Sequence, residues 1–183
     1  KEQYFYLEDT AGIHIVVNEE FAERNNHSSL KAIEDMLKNT YICSSDVYYE
    51  KNPFYQYEWK AFYSAQYAPE TTEEWCITTG SGKRIIDVEI SGENSWYMVG
   101  HAYFDRRFSN RFVQILNEEY NNSETKDKLW EQLYIDHIKE LDMLIKPYAG
   151  GIHEFDSLDE LKEFDPDFLE NVDSEVFINI ENT

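Results

Sequence analysis

The chain has 183 residues, with 16 Lys and Arg against 37 Asp and Glu, a formal net charge of −21. Duplex nucleic acid and anionic membranes both call for a basic face, so neither is an expected partner. Disorder is excluded as well, because 42% of the residues are hydrophobic and 16% aromatic, enough for one domain that buries roughly 70% of its unfolded surface.

Lys1 to Asn18 reads as a short amphipathic piece, a turn at Ala11-Gly12 and a strand, because Ile13-His14-Ile15-Val16-Val17 is short and β-branched. Leu30, Ile33, Met36 and Leu37 recur at helical spacing, with Ser28 or Ser29 as N-cap. Tyr41-Ile42-Cys43 is a short apolar strand that runs into Ser44-Ser45-Asp46. The middle is strand-rich. Phe62–Tyr67 and Trp75–Thr79 are strands, Gly80-Ser81-Gly82 is a turn, Arg84–Ile90 returns as a hairpin partner, and Trp96–Phe104 follows. Phe108, Phe112, Ile115 and Leu116 then keep helical spacing, as do Leu129, Leu133 and Ile138 beyond a polar linker at 121–128. Leu144–Tyr148 and Ile152–Asp156 are two more short strands, and Ser157 caps a helix that Asp165-Pro166 stops. The segment 166–183 is an acidic tail or a linker to a further domain. Strands alternate with helices, so the class is α/β.

Two cysteines, Cys43 and Cys76, are too few for a disulfide framework and lack zinc-site spacing. Both sit in apolar segments and read as buried free thiols, which suits a cytoplasmic protein. No apolar run approaches the roughly 20 residues a membrane span needs, and no signal peptide is evident. The chain opens on Lys1 rather than Met, which reads as processing or truncation.

Asp46 follows a short strand directly. In open α/β sheets ligands bind at the carboxyl ends of strands, and magnesium takes one or two carboxylates plus substrate phosphates. The same pattern suits an acid in a surface turn. Asp156 has a similar context, and period-two alternation puts Glu154 on its side of the strand. Two acids on one face repel unless a cation lies near or water covers them. Trp75, Trp96 and Tyr134 are candidate aromatic walls with acids close by, as a quaternary ammonium requires. Core packing accounts for the same rings.

The stretches Asn25–Leu30, Tyr41–Asp46, Glu74–Ile77, Trp96–Asp105, Leu129–His137 and Glu154–Leu158 resemble, in order, those of bacterial CTP:phosphocholine cytidylyltransferases. These belong to the nucleotidyltransferases that activate sugars and alcohol phosphates. The resemblance covers residues 1 to about 165 and implies a Rossmann-like (GT-A-like) mixed sheet flanked by helices. It implies transfer of CMP from CTP to phosphocholine, giving CDP-choline and pyrophosphate. It further implies Mg2+ on Asp46 and Asp156. Trp75, Tyr134, Asp136 and Glu154 would surround the trimethylammonium, and Asn25 and Asn26 would sit in a nearby loop; Trp96 stays a substrate-binding candidate on its own pattern alone. The family's opening G-x-G-x-R loop and Pro-Lys segment are not found in residues 1–183. The expectation is therefore an N-terminally truncated, partial domain over 1–165 that by itself catalyses poorly or is inactive. The tail resembles the junction to a choline-kinase-like domain. An exposed sheet edge would allow a homodimer. Two rival readings remain: a non-catalytic ligand-binding remnant, and the same chemistry on another phosphate or phosphonate.

Overall fold

The computed structural model describes residues 4–166. The expected tail over 166–183 lies outside the described residues except for Pro166. The first helix, α1, is Tyr6–Ala11, closed by Gly12 in the left-handed region with φ +64°. Glycine carries no side chain to clash there. The strand expected over Ile13–Val17 does not form. Ile13 and Val16 are 47% and 40% exposed, and the amide of Ile15 donates to the Glu8 carboxylate at 2.8 Å. β-branched residues favour a strand only where a neighbour covers the pleated face, and among the described residues none pairs here.

Helix α2 is His27–Ala32 and ends in a 3-10 turn at Glu34–Met36. It begins two or three residues earlier than expected. Asn26, rather than Ser28 or Ser29, precedes its first turn, and Ser28 Oγ donates back to the carbonyl of Asn25 at 2.8 Å. Strands β1 (Thr40–Cys43), β2 (Val47–Tyr49), β3 (Phe62–Ala68), β4 (Thr72–Thr79), β5 (Ile85–Gly92) and β6 (Ser95–Phe104) follow. Helix α3 is Arg106–Glu119 and α4 is Trp130–Asp136, shorter than the apolar spacing suggested. Asp105 caps α3 by accepting from the amide of Phe108 at 2.9 Å. Strands β7 (Leu144–Pro147) and β8 (Ile152–Glu154) and helix α5 (Leu158–Phe164) complete the described chain. Ser157 caps α5 as expected, accepting from Glu160 N.

Strands β5-β4-β6-β3-β7 form one mixed sheet, with β1 also paired to β6. Only β3 and β7 run parallel within it; the other pairs are antiparallel. Strand β6 organises the sheet. One of its edges carries β3 along most of its length. The other is shared: β4 pairs with Trp96 and Tyr97, and β1 pairs with His101 to Phe104. Between them, at Met98–Gly100, β4 and β1 part and leave a fork in the sheet.

Helices α3 and α4 cover one face of the sheet. Phe112, Ile115, Leu116 and Leu133 are fully buried there against Phe104, Ala65 and Ala102. Each such side chain contributes about 1.5–3 kcal/mol of burial. On the opposite face an aromatic cluster surrounds His101, with Tyr41 stacked on its ring at 5.5 Å and Phe54, Phe62 and Tyr49 edge-on. Cys76 is buried as expected, but Cys43 is exposed. It ends β1 at the open side of the fork and lines the cleft there. Among the described residues no helix is long and apolar enough to cross a membrane.

Candidate active site

Three acids meet at the fork. Strand β2 pairs antiparallel with β8 so that Val47 opposes Glu154. The amide of Phe155 then donates to the carbonyl of Asp46 at 3.1 Å. This two-strand clamp brings carboxylate oxygens of Asp46, Glu154 and Asp156 within 4.8 Å of one another. All three residues are exposed. Among the described residues no Lys or Arg forms an ion pair with them. The proton affinity of Glu154 rises, its pKa reaching about 7, through partial desolvation and then the charges of Asp46, Asp156 and Glu74. Oxygen-only, anionic, unneutralised donors at this spacing are what a hard divalent cation takes.

Beside the acids lies a cavity of about 140 Å³, walled by Trp75, Leu129, Glu131, Glu154 and Tyr63. It shares Glu74 and Glu154 with a cleft of about 650 Å³ that reaches Asp156 and Tyr97. On its other side it shares Ser44 and Glu131 with a cleft of about 390 Å³ that reaches Asp46 and Asn26. The floor is Gly100, where a Cβ would stand 2.6 Å from Val47 Cγ2. A side chain there would push β2, and Asp46 with it, out of place.

Glu131 is the most constrained group in the cavity. It lies in the first turn of α4. Its Oε1 accepts from the Tyr63 hydroxyl at 3.3 Å and its Oε2 from Asn26 Nδ2 at 3.4 Å. Asn26 Oδ1 also accepts from the amide of Trp130 at 2.7 Å, so this one side chain ties the start of α2 to the start of α4. Burial raises the Glu131 pKa to about 7 despite these bonds.

The structure therefore brings together Asp46, Glu154, Asp156, Trp75 and Asn26. Asn25 is near but exposed, and its amide nitrogen donates to the carbonyl of Asp127 at 3.0 Å instead of facing the cavity. Trp96 pairs in register with Tyr67 and Ile77, and its ring packs edge-on to Tyr67 at 5.3 Å, outside the site. Tyr134 and Asp136 do not join the box. Tyr134 is 0% exposed and packs against Phe108. Asp136 is exposed and pairs with Lys128 at 2.7 Å. Residues two apart on a helix point about 200° away from each other, so one pocket wall cannot hold both. Glu131, Leu129 and Tyr63 occupy the cavity, and sequence reasoning missed them. A carboxylate beside Trp130 in a short helix was the sole hint for Glu131; Tyr63, inside an apolar strand, gave none.

No protein-family model matches the chain. It is 28% identical, over 90% of its length and 72% of the relative's, to a choline-phosphate cytidylyltransferase of Streptococcus pneumoniae. It is 30% identical, over 92% of its length and 71% of the relative's, to a 2-aminoethylphosphonate cytidylyltransferase of Lancefieldella rimae. The chain belongs to the cytidylyltransferases.

A solved CTP:phosphocholine cytidylyltransferase from Streptococcus pneumoniae superposes with a TM-score of 0.84 at 27% identity, over 91% of this chain and 74% of that one. The wider fold agrees as well. A glucose-1-phosphate thymidylyltransferase from Bacillus anthracis matches with a TM-score of 0.64 at 12% identity, which carries the fold alone. The Rossmann-like mixed sheet expected of a nucleotidyltransferase is thus the fold of this cytidylyltransferase.

Proposed function

We propose that the chain transfers CMP from CTP to a small acceptor that carries a phosphate or phosphonate at one end and a cationic amine at the other, with phosphocholine as the first expected acceptor. An acceptor oxygen attacks the α-phosphorus of CTP, the bond to the bridging oxygen breaks, and pyrophosphate leaves. The observation that carries this reading is the adjacency of two unlike halves: the Asp46–Glu154–Asp156 carboxylates and a cavity walled by Trp75 and Glu131. The first half suits a phosphate-bound cation, the second an amine.

Asp46 and Asp156, with Glu154, would hold Mg2+, and their oxygen donors and charge fit it. Bound there, the ion would supply Lewis-acid stabilisation of charge on the transferring phosphoryl group. The side chains do the rest. Trp75 offers an indole face to the amine, while Glu131 and Glu154 supply counter-charge. Together they fix the acceptor so that its phosphate end points to the acids, and orientation of this kind is a large part of the catalysis of phosphoryl transfer.

Two free thiols fit a reducing cytoplasm, the proposed location. Strand β5, an edge of the sheet with Ile86 and Ile90 50% and 69% exposed, is the proposed route to a homodimer. The deciding experiment is release of pyrophosphate from CTP by the purified protein with Mg2+ and phosphocholine. Release that depends on both CTP and the acceptor supports the reading; ligand binding without release favours a non-catalytic remnant.

A further inference from the structure

We infer that, given the cytidylyl transfer proposed above, Glu131 lets this site use acceptors whose cationic end is a primary ammonium, at least as well as trimethylammonium ones. The two kinds of head are recognised differently. A trimethylammonium has no N–H; its charge is spread over methyl groups and is best met by several ring faces. The cavity offers the Trp75 indole as an open ring face, since the Tyr63 ring is 3% exposed and stacked on Trp130 at 5.8 Å. Leu129 and Met98 are apolar but carry no π charge. The remaining walls are Ser44, Gly100 and the acidic residues Glu74, Glu131 and Glu154.

A primary ammonium brings three N–H donors, and a carboxylate accepts up to about four bonds. Glu131 receives one bond on each oxygen, from Tyr63 and from Asn26, and a third from its own backbone amide, so of its roughly four acceptor sites one stays free for the ammonium. Those bonds, and the Asn26 bond to the Trp130 amide, hold the carboxylate still before the acceptor arrives. A trimethylammonium would displace water from these oxygens without replacing the hydrogen bonds lost, whereas a primary ammonium forms charge-assisted ones. Glu131 is then the specificity-determining residue, with Tyr63 and Asn26 as positioning residues. The ammonium keeps its protons throughout. The bonds made and broken at phosphorus are those already given.

The test uses the purified protein with CTP, Mg2+ and three acceptors: phosphocholine, 2-aminoethyl phosphate and 2-aminoethylphosphonate. At least one primary-ammonium acceptor should give a kcat/KM equal to or above that of phosphocholine, and comparing the two shows whether an ester or a phosphonate is preferred. Glu131→Gln should lower kcat/KM for the primary-ammonium acceptors about 30-fold or more, mostly through KM. It should lower phosphocholine turnover less than about tenfold and leave KM for CTP unchanged. Tyr63→Phe should shift selectivity in the same direction by a smaller factor. A wild-type kcat/KM for phosphocholine above that of both primary-ammonium acceptors overturns the inference, and so does a Glu131→Gln loss equal for all acceptors. Pyrophosphate release with phosphocholine alone leaves the transfer reading standing while this inference falls. No release with any acceptor sinks both.

Discussion

The amide of Phe155 donates to the carbonyl of Asp46 at 3.1 Å. That backbone bond continues the β2–β8 ladder past the pair of Val47 with Glu154, and so sets the position of Asp46 without using its side chain. Asp46→Asn keeps the backbone bond and removes only the charge. The expected result is a fall of about 100-fold or more in Mg2+-dependent pyrophosphate release, the scale on which losing electrostatic stabilisation at a transferring group is felt. Thermal unfolding by circular dichroism should stay close to the parent's. Activity near the parent's would remove Asp46 from the metal site.

The clustering of the acids would give cation binding at the proposed Mg2+ site a pH dependence. The Glu154 pKa is raised to about 7, by burial first and then by Asp46, Asp156 and Glu74. Below that pH a proton competes for the site. Above it, the carboxylate is free to bind a cation. Mg2+ affinity measured by calorimetry should therefore weaken by about tenfold from pH 8 to pH 6, one proton being released per ion bound. A flat affinity across that range would mean that Glu154 does not hold the ion.

Trp75 is half-buried on β4, with part of its ring open to the cavity. Trp75→Ala removes the indole face and leaves the three acids. KM for the amine-bearing acceptor should rise about tenfold, the range of a partly desolvated cation–π contact of about 1–2 kcal/mol, while KM for CTP stays as it was. Steady-state kinetics with each substrate varied in turn separates the two. An equal rise in both would point to a disturbed sheet.

His101 sets a stability trend that is independent of the site. Its ring is 0% exposed, with Nδ1 against Ser64 Oγ at 2.8 Å. Burial, then Lys146, hold its pKa down to about 4, with Glu58 opposing. The unfolded chain takes up this proton near pH 6.5, the folded one only near 4. The neutral ring is thus fully tolerated above about pH 6.5, and stability is lost as the pH falls from there towards 4. The limit is about 3 kcal/mol. Urea unfolding at pH 7, 6, 5 and 4 should give a shallower decline for His101→Gln than for the parent. Parallel declines would mean that His101 is not the group that titrates.

How far the sequence could be read depends on the range of the forces involved. The α3 stripe of Phe108, Phe112, Ile115 and Leu116 was legible because one helix face buries at a period of 3.6. Glu154 and Asp156 were legible as neighbours by their two-residue spacing, although the expected strand over Ile152–Asp156 stops at Glu154 and Asp156 lies in the bend beyond it. The approach of Asp46 to them rests on a pairing of two three-residue strands, which no local pattern encodes. The Ile13–Val17 segment misled for the same reason: a β-branched run becomes a strand only where a distant partner covers it. The amine box failed on helix rotation. The resemblance placed Tyr134 and Asp136 of the box on α4, but along its seven residues Glu131 is the one that lines the cavity, while Asp136 faces solvent.

The placement of Tyr134 departs most sharply from the expected box. Its ring is fully enclosed among Phe108 and the α3–α4 core, and its hydroxyl is buried with no hydrogen-bond partner among the described residues. Burial pushes its pKa well above the ordinary phenol range. An unpartnered hydroxyl costs its desolvation energy, of order 1–3 kcal/mol. Tyr134→Phe keeps the ring and removes that cost, so chemical denaturation should show stability unchanged or raised by about 1 kcal/mol. Acceptor KM should not move. If Tyr134 lined the amine pocket, the same substitution would leave the ring face in place, so Tyr134→Leu is the companion variant. It should destabilise the core by about 1–3 kcal/mol through lost ring volume and still leave acceptor KM where it was. A rise in acceptor KM for Tyr134→Leu, with CTP unaffected, would put Tyr134 back in the box and Glu131 out of it.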